Sequence, residues 1–199
     1  MKRLTDVLFS ILGIIILMPL LLITVIISSL AQGFPILFLD SRLGMNGRSF
    51  TLIKFRTMKN GLSKNAEHDI TRITKWGRFL RQSSIDELPV LINVIKGDMS
   101  LVGPRPLPEK YLNRFNKIQK KRLEIKPGIT GLAQIKGRNY LSWEKRFFYD
   151  IEYIEKKSLM LDIKIIFSTV IIVIKGIGVR AKDQEIMPEF MGEKNKKSN

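Results

Sequence analysis

The chain contains no cysteine and a single histidine, His68, among its 199 residues. The missing thiols exclude disulfides, thiolate nucleophiles and cysteine-held zinc, and they fit a reducing compartment. One imidazole cannot build a histidine metal centre, and His68 reads as a solvated loop residue in the polar stretch NGLSKNAEHD. Any metal must therefore be held by oxygen ligands, which points to a magnesium-like ion. Acidic residues are scarce too: 18 Asp plus Glu face 34 Lys plus Arg, a formal net charge of +16. Such a balance asks for an anionic partner, whether nucleic acid, lipid headgroups or a phosphorylated small molecule. No nucleic-acid-binding motif or aromatic stacking platform accompanies the charge, so nucleic acid is not expected. There is no Walker loop, no glycine-rich kinase motif and no internal repeat.

Charge is absent altogether from Val7 to Leu39. That run exceeds the roughly 18 apolar residues that mark a membrane helix. It is too long for a signal peptide and lacks a small-residue cleavage site. Lys2 and Arg3 precede it, and Arg42, Arg48, Lys54 and Arg56 follow it. Basic residues favour the cytoplasmic side, so both flanks call for the same side. Pro19 removes a backbone hydrogen bond near the middle. The legs Thr5–Met18 and Pro19–Leu30 would each measure about 18–21 Å, short of the roughly 30 Å hydrocarbon core. A re-entrant helix–break–helix at Met18 and Pro19 satisfies the flanks; a single span with weak charge bias is the alternative.

Beyond the run, strands are expected at about Ile36–Leu39 and Phe50–Phe55, joined by a turn from Gly44 to Gly47. Asn60 to Asp69 reads as a polar loop, and Thr74 to Gln82 as a helix mixing apolar and basic residues. Glu109 to Glu124 reads as a basic amphipathic helix. The stretch KPGITGLAQIKGRN is turn-rich, and Trp143 to Lys157 has helical spacing. Leu159 to Val179 is apolar but carries Asp162, Lys164 and Lys175, which suits a helix lying on an anionic bilayer surface. Lys182 to Asn199 reads as a loose polar tail. The expected organisation is a re-entrant helix over 1–33, a membrane-interfacial catalytic domain over 34–181 and a tail over 182–199. The fold class is α/β, rich in helix with a small β-hairpin or sheet and with surface-lying amphipathic helices.

The chemistry concentrates in SSIDELPVLINVIKGDMSLVGPRP, Ser83 to Pro106. Ser84-Ile85-Asp86-Glu87 fits a capping box, with Ser84 and Glu87 exchanging bonds with each other's backbone N–H. Gly97 ends the apolar run that follows. Placed in the first turn of a helix, Asp86 would be held ionised by the dipole, and an ionised carboxylate can attack phosphorus to form an acyl phosphate. Glu87 could hold a divalent ion bridging phosphate oxygens. Arg105, fixed between Pro104 and Pro106, presents a planar fork suited to phosphate. Lys54, Arg56, Arg81 and Arg138 are further basic residues near polar turns, able together to surround a diphosphate. A membrane-tethered scaffold docked on anionic lipid remains an alternative at this point; it predicts that Asp86→Asn is harmless.

The motifs KFRTM, SSIDELPVLINVIKGDMSLVGPRPL and KPGITGLAQIKGRN, with Trp143 shortly after, resemble the small bacterial sugar transferases, the monotopic phosphoglycosyl transferases that begin lipid-linked glycan assembly. The resemblance runs from the apolar N-terminus to about Val179, and within the family it leans toward enzymes that transfer phospho-diacetamidosugars such as diacetylbacillosamine phosphate. It implies transfer of a sugar-1-phosphate from a UDP-sugar to a polyprenol phosphate, typically undecaprenyl phosphate, with release of UMP. It implies a covalent phosphosugar on Asp86 and magnesium at Glu87 beside Asp86. Arg105 matches a phosphate-contacting residue, Arg81 and Lys54 match functional positions, and Arg138 matches a basic position. It also implies a re-entrant helix, although the family's Ser-Pro break is Met18-Pro19 here. The implied location is the cytoplasmic face of the bacterial inner membrane, with downstream membrane glycosyltransferases as further partners.

Overall fold

A computed structural model describes residues 2–59, 72–137, 140–175 and 189–192. Arg138, His68, the expected loop at 60–69 and all of the expected tail except 189–192 lie outside the described residues. The apolar run forms one helix, α1 (Lys2–Gln32), with Pro19 inside it rather than between two helices. At 1.5 Å per residue it measures about 46 Å.

The packing of α1 inverts the soluble pattern. Its buried residues are Asp6, Ser10, Thr24 and Ser28, while Ile16 is 65% exposed and Leu30 is 83% exposed. Residues 6 and 24, like 10 and 28, are five helical turns apart, so the polar side chains share one stripe. That stripe faces protein. Asp6 accepts hydrogen bonds from Ser100 Oγ (2.8 Å) and from the Leu101 N–H (3.2 Å). About six turns along, Trp76 Nε1 donates to Ser28 Oγ at 2.9 Å. The ends are fastened as well. Lys2 Nζ pairs with Asp162 and donates to Tyr153 OH (3.0 Å) and Val102 O (3.2 Å). Arg3 donates to the carbonyls of Val94 and Ile95, the last turn of a helix whose free carbonyls favour a cation. At the other end, Gln32 Nε2 donates to Arg56 O (3.0 Å), and Arg56 Nη2 donates to Gln32 O (2.5 Å) and Gly33 O (2.7 Å).

Strands β1 (Leu37–Leu43) and β2 (Ser49–Phe55) form an antiparallel hairpin, Leu37 opposite Phe55 and Leu43 opposite Ser49. The turn uses Asn46 and Gly47 at φ 58° and 73°. β1 runs four residues beyond the expected Leu39, because Asp40, Ser41 and Arg42 alternate between two polar surroundings instead of forming the turn. Helix α2 (Lys75–Ser83) starts where expected, with Thr74 accepting from the Gly77 N–H at 2.8 Å. Helix α3 (Val90–Lys96) is short and ends at Gly97 in the left-handed region.

Strands β3 (Ser100–Val102) and β4 (Gly128–Thr130) pair in parallel, Ser100 with Gly128 and Val102 with Thr130. The segment expected to be a turn-rich connection is thus partly strand. Gly103 N donates to Thr130 O (2.9 Å) and Gly128 N to Pro104 O (2.9 Å). A Cβ on Gly128 would stand 2.0 Å from Gly103 N, so glycine is required where these backbones meet.

The expected helix over Glu109–Glu124 is broken into a 3₁₀ stretch Glu109–Arg114, a single-turn helix α4 (Lys117–Lys120) and a 3₁₀ turn Lys121–Leu123. The cause is local. Asn116 and Gln119 form a capping box, with bonds of 2.8 and 3.0 Å, that restarts the helix after extended Phe115. The restart turns Phe115 into an aromatic core with Tyr111 and Phe147. Phe190, from the expected loose tail, is buried in that same core, and Glu189 pairs with Lys110 and Arg114. Helix α5 (Leu132–Gly137) leads to α6 (Trp143–Lys156), which bears out the expected helix and is capped by Ser142. Helix α7 (Leu159–Ile174) is inverted like α1: Asp162 is buried, while Met160 is 75% exposed and Ile174 is 79% exposed. Two apolar helix faces are thus left for a surrounding that is not water.

Candidate active site

The dyad sits on a sharp reversal. Ser84 ends α2 with φ 58°, and Ile85–Glu87 make one 3₁₀ turn before Pro89 leads into α3. Ser84 forms no side-chain cap bond, so the expected capping box is absent; a left-handed Ser84 closes the preceding helix instead of opening the next. Asp86 therefore precedes α3 and does not lie in its first turn.

The two carboxyls are driven apart. Glu87 Oε1 accepts from Lys54 Nζ at 2.7 Å and from Arg105 Nη2 at 2.6 Å. Burial by itself would raise Glu87, but Arg105 and Lys54 outweigh it and hold the carboxyl well below the usual carboxylate range. Glu87 in turn raises Arg105, while burial and then Arg105 pull the Lys54 ammonium below its ordinary value. Asp86 behaves in the opposite way. Burial first, and the Glu87 charge second, push it up to about 6, against Lys54, Arg81 and Arg105. The dipole-held, low-pKa aspartate expected from the helix start is replaced by a sheltered carboxyl that is roughly nine-tenths ionised at pH 7. No described side chain donates a hydrogen bond to it. Among the described residues one acid is thus locked by cations while its neighbour is left more basic, a contrast of the kind that separates roles at active sites.

Arg105 is held from behind. Its carbonyl accepts from Arg122 Nη2 at 2.7 Å. Arg122 is also bonded through Nε (3.1 Å) and Nη2 (2.9 Å) to Asp150, both side chains about 95% buried. The Arg122 guanidinium lies over the rings of Phe115 and Phe147. A buried ion pair adds little net stability; here it fixes the backbone of the loop that aims Arg105. Arg122 and Asp150 were not picked out by reading the sequence. The available signal was a charge on the inward stripe Trp143, Phe147, Asp150 of α6.

All these groups line one cleft of about 1560 Å³. One wall carries Lys54, Arg81, Asp86, Glu87 and Arg105; the other carries Gly13, Leu17 and Leu20 of α1 with Ile163, Phe167 and Val170 of α7. The structure thus brings together Asp86, Glu87, Lys54, Arg105 and Arg81, the last bonded to Thr57 Oγ1 at 2.8 Å. Arg56 lines the cleft as well, and its guanidinium also fastens the end of α1. Met18 and Pro19 belong to α1 and are not part of the cleft lining.

Of the two dyad carboxyls, Asp86 is the one to which a magnesium ion has access among the described residues. Glu87 is already occupied by two cations, and no group of three acidic or histidine side chains exists among the described residues. Asp86 is the open carboxylate, and magnesium commonly takes one or two carboxylates plus substrate phosphates.

A cleft that joins a basic cluster around an aspartate with apolar residues of two helices suits transfer of a phosphorylated group to a lipid. Comparison with known proteins agrees. The family model for bacterial sugar transferases matches residues 1–176. The chain is 44% identical over 194 residues to the "Uncharacterized sugar transferase EpsL" of Bacillus subtilis (strain 168), covering 96% of each chain. It is 40% identical over 196 residues to the "Galactosyl transferase CpsE" of Streptococcus agalactiae serotype III (strain NEM316), covering 90% of this chain and 43% of that one. It is 38% identical over 183 residues to the "UDP-glucose:undecaprenyl-phosphate glucose-1-phosphate transferase" of Xanthomonas campestris pv. campestris, covering 85% and 38%. The last two are therefore much longer proteins, matched over less than half their length. With the family model spanning the cleft and both apolar helices, the chain belongs to the bacterial sugar transferase family.

Proposed function

We propose that this enzyme moves a sugar-1-phosphate from a UDP-sugar to undecaprenyl phosphate, releasing UMP, through a covalent phosphosugar on Asp86. The observation that carries the reading is the asymmetry of the dyad: Asp86 is sheltered, receives no hydrogen bond from the described side chains and is surrounded by cations, while Glu87 is spent on holding Lys54 and Arg105. An Asp86 oxygen attacks the phosphorus that bears the sugar. The bond from that phosphorus to the UMP phosphate breaks, and UMP leaves with the electron pair. An oxygen of the polyprenol phosphate then attacks the same phosphorus, and the Asp86 carboxylate departs. Lys54, Arg81 and Arg105 offset the negative charge that gathers in both steps. Asp86 and the donor's phosphates would together hold magnesium, which supplies further charge neutralisation when bound.

The apolar wall made by α1 and α7 suits the isoprenoid chain, and the names of several relatives support both substrates: the enzymes of Xanthomonas campestris and Escherichia coli are named for UDP-glucose and undecaprenyl phosphate. A relative named for exopolysaccharide production supports a place early in surface-glycan assembly, ahead of other membrane glycosyltransferases. The attachment of both ends of α1 to one body supports a re-entrant helix on the cytoplasmic face of the inner membrane.

The chemistry is tested by incubating the enzyme with UDP-sugars and magnesium and weighing the peptide that contains Asp86. A sugar-phosphate adduct, and UMP release that requires undecaprenyl phosphate for turnover, are expected; full turnover by Asp86→Ala would end the reading. For topology, the chain offers a cysteine-free background. Leu4→Cys and Phe34→Cys should both react only from the cytoplasmic side; labelling from opposite sides would establish a span.

A further inference from the structure

We propose that Asn93 is a positioning residue of the active site: its buried amide locks strand β2 to helix α3 and thereby aims Lys54 at Glu87. The inference deepens the transferase reading above and rests on it.

Asn93 interrupts the apolar run of α3, VLINVIK. Val90, Asn93 and Val94 are three and four residues apart, so they share one helix face. All three are buried, Asn93 completely. An amide in that position is costly unless its polar groups are bonded. Asn93 spends its bonds on one strand edge. Oδ1 accepts from the Ile53 N–H at 3.0 Å, and Nδ2 donates to Thr51 O at 2.7 Å. Residues 51 and 53 turn their backbone groups to the same side of β2, so the side chain does there what the peptide group of a further strand would do. Nδ2 also donates to Asp98 Oδ2 at 3.1 Å. With its second N–H taken by Asp98, the amide keeps its nitrogen, and not its oxygen, toward Thr51.

This edge leads straight to the dyad. Ile53 is followed by Lys54, whose Nζ donates to Glu87 Oε1 at 2.7 Å. Glu87 is joined to Asn93 through Pro89 and the first turn of α3. The contacts therefore close a circuit: Asn93 to β2, β2 to Lys54, Lys54 to Glu87, and Glu87 back through α3 to Asn93. The same elements also touch through Leu52, Val90 and Val94. Apolar contact is non-directional and does not set how far β2 slides along α3; two directional bonds to the strand edge do. Lys54 carries a compact ammonium on a flexible stem, so the place of its Cα decides whether it reaches Glu87.

The test crosses Asn93→Leu with Lys54→Met in the full-length enzyme. Donors are UDP-glucose, UDP-galactose and UDP-N-acetylglucosamine. Readouts are kcat/KM for UMP release and single-turnover formation of the Asp86 adduct. With Lys54 present, Asn93→Leu should lower both by about 10–100-fold. In the Lys54→Met background the same change should cost less than about twofold more, because the group that it aims is gone. A substitution that only unfolds part of the enzyme removes the same fraction in both backgrounds. Equal losses would therefore overturn the assignment, as would an Asn93→Leu enzyme as fast as the wild type. Where Asn93→Leu does not fold, Asp98→Ala, at a half-buried position, carries the same comparison. A loss of about threefold or more that vanishes in Lys54→Met supports the assignment; no loss, or an equal loss in both backgrounds, overturns it. A wild type that releases UMP from no donor would bring down the transferase reading itself, and this assignment with it.

Discussion

On the proposed mechanism Asp86 attacks only as a carboxylate, so the first half-reaction should fail as pH falls through the pKa of that one group. With Asp86 pushed up to about 6, the rate at pH 5 should be roughly a tenth of its plateau. An ordinary aspartate would keep full rate there. The dyad also fixes how the midpoint must move. The Glu87 charge is the second cause of the upward shift, after burial, while Lys54 and Arg105 oppose it. Glu87→Gln removes a raising charge and frees two lowering ones, so the acid limb should move to lower pH. Burial persists and the whole displacement is only about two units, from 3.8 to about 6, so the move should be on the order of one unit. Lys54→Met removes a lowering charge, so its limb should move to higher pH. Both variants lose amplitude, because Lys54 and Arg105 also steady the phosphates; the midpoint is the quantity that counts. The assay is single-turnover formation of the Asp86 adduct at subsaturating donor, from about pH 4.5 to 8. Midpoints moving in the same direction, or a wild-type limb near pH 4, would refute the electrostatic account of the dyad.

Asp86→Asn should abolish the adduct yet stabilise the protein. The folded pKa is raised, so between pH 3.8 and about 6 the folded chain holds more protons than the unfolded one. Stability therefore falls as pH rises through that window and stays reduced above it. Allowing for solvent screening, thermal unfolding near neutral pH should show the variant ahead by about 1 kcal/mol, with no gain near pH 4. Asp150→Asn leaves Arg122 buried without its charge partner, and denaturant unfolding should show a loss of about 3–5 kcal/mol. The pair Arg122→Met with Asp150→Leu should recover most of that stability, yet lower kcat/KM by about 10–100-fold, because the Arg105 carbonyl loses its donor. Recovery of stability and activity together would show that Arg122 does not position Arg105. Phe190→Ala should cost about 3–5 kcal/mol in the same unfolding assay, since the ring is 7% exposed among Tyr111, Phe115 and Phe147.

Local rules read much of this chain correctly. Alternation and glycine placed the hairpin, Thr74 marked a true helix start, and residue spacing found α6 and α7. Asp86, Glu87, Lys54 and Arg105 were found through motifs, and they do meet. What escaped depends on contacts distant in sequence. Nothing local tells that GPRP will zip onto KPGIT, because that pairing rests on Gly128 admitting the Gly103 backbone. Burial of Phe190 depends on a core assembled some 75 residues earlier in the chain. One miss was legible in retrospect: Asn116 and Gln119 spell a capping box that interrupts the expected helix. Another turned on a single backbone angle, since S-x-x-E at Ser84 is a cap only if Ser84 is extended, and its φ is 58°.

The same inversion governs the membrane segment and the site. A helix that turned its leucines toward the body would leave Asp6, Ser10, Thr24 and Ser28 facing lipid, where unpaired polar groups are expensive. With the stripe turned inward, each end of α1 finds partners in the body, Ser100 at one end and Trp76 at the other. A helix of about 46 Å is thus held near both of its ends by the same body. The helix is therefore tied along the face of the body that holds the dyad. Gly13, Leu17 and Leu20 of its mid-section line the same cleft as Asp86, whose burial is the largest cause of its raised pKa. On the proposed mechanism, a sheltered nucleophile and an apolar approach for the lipid acceptor would both follow from one packing decision, taken where the polar residues fall along α1.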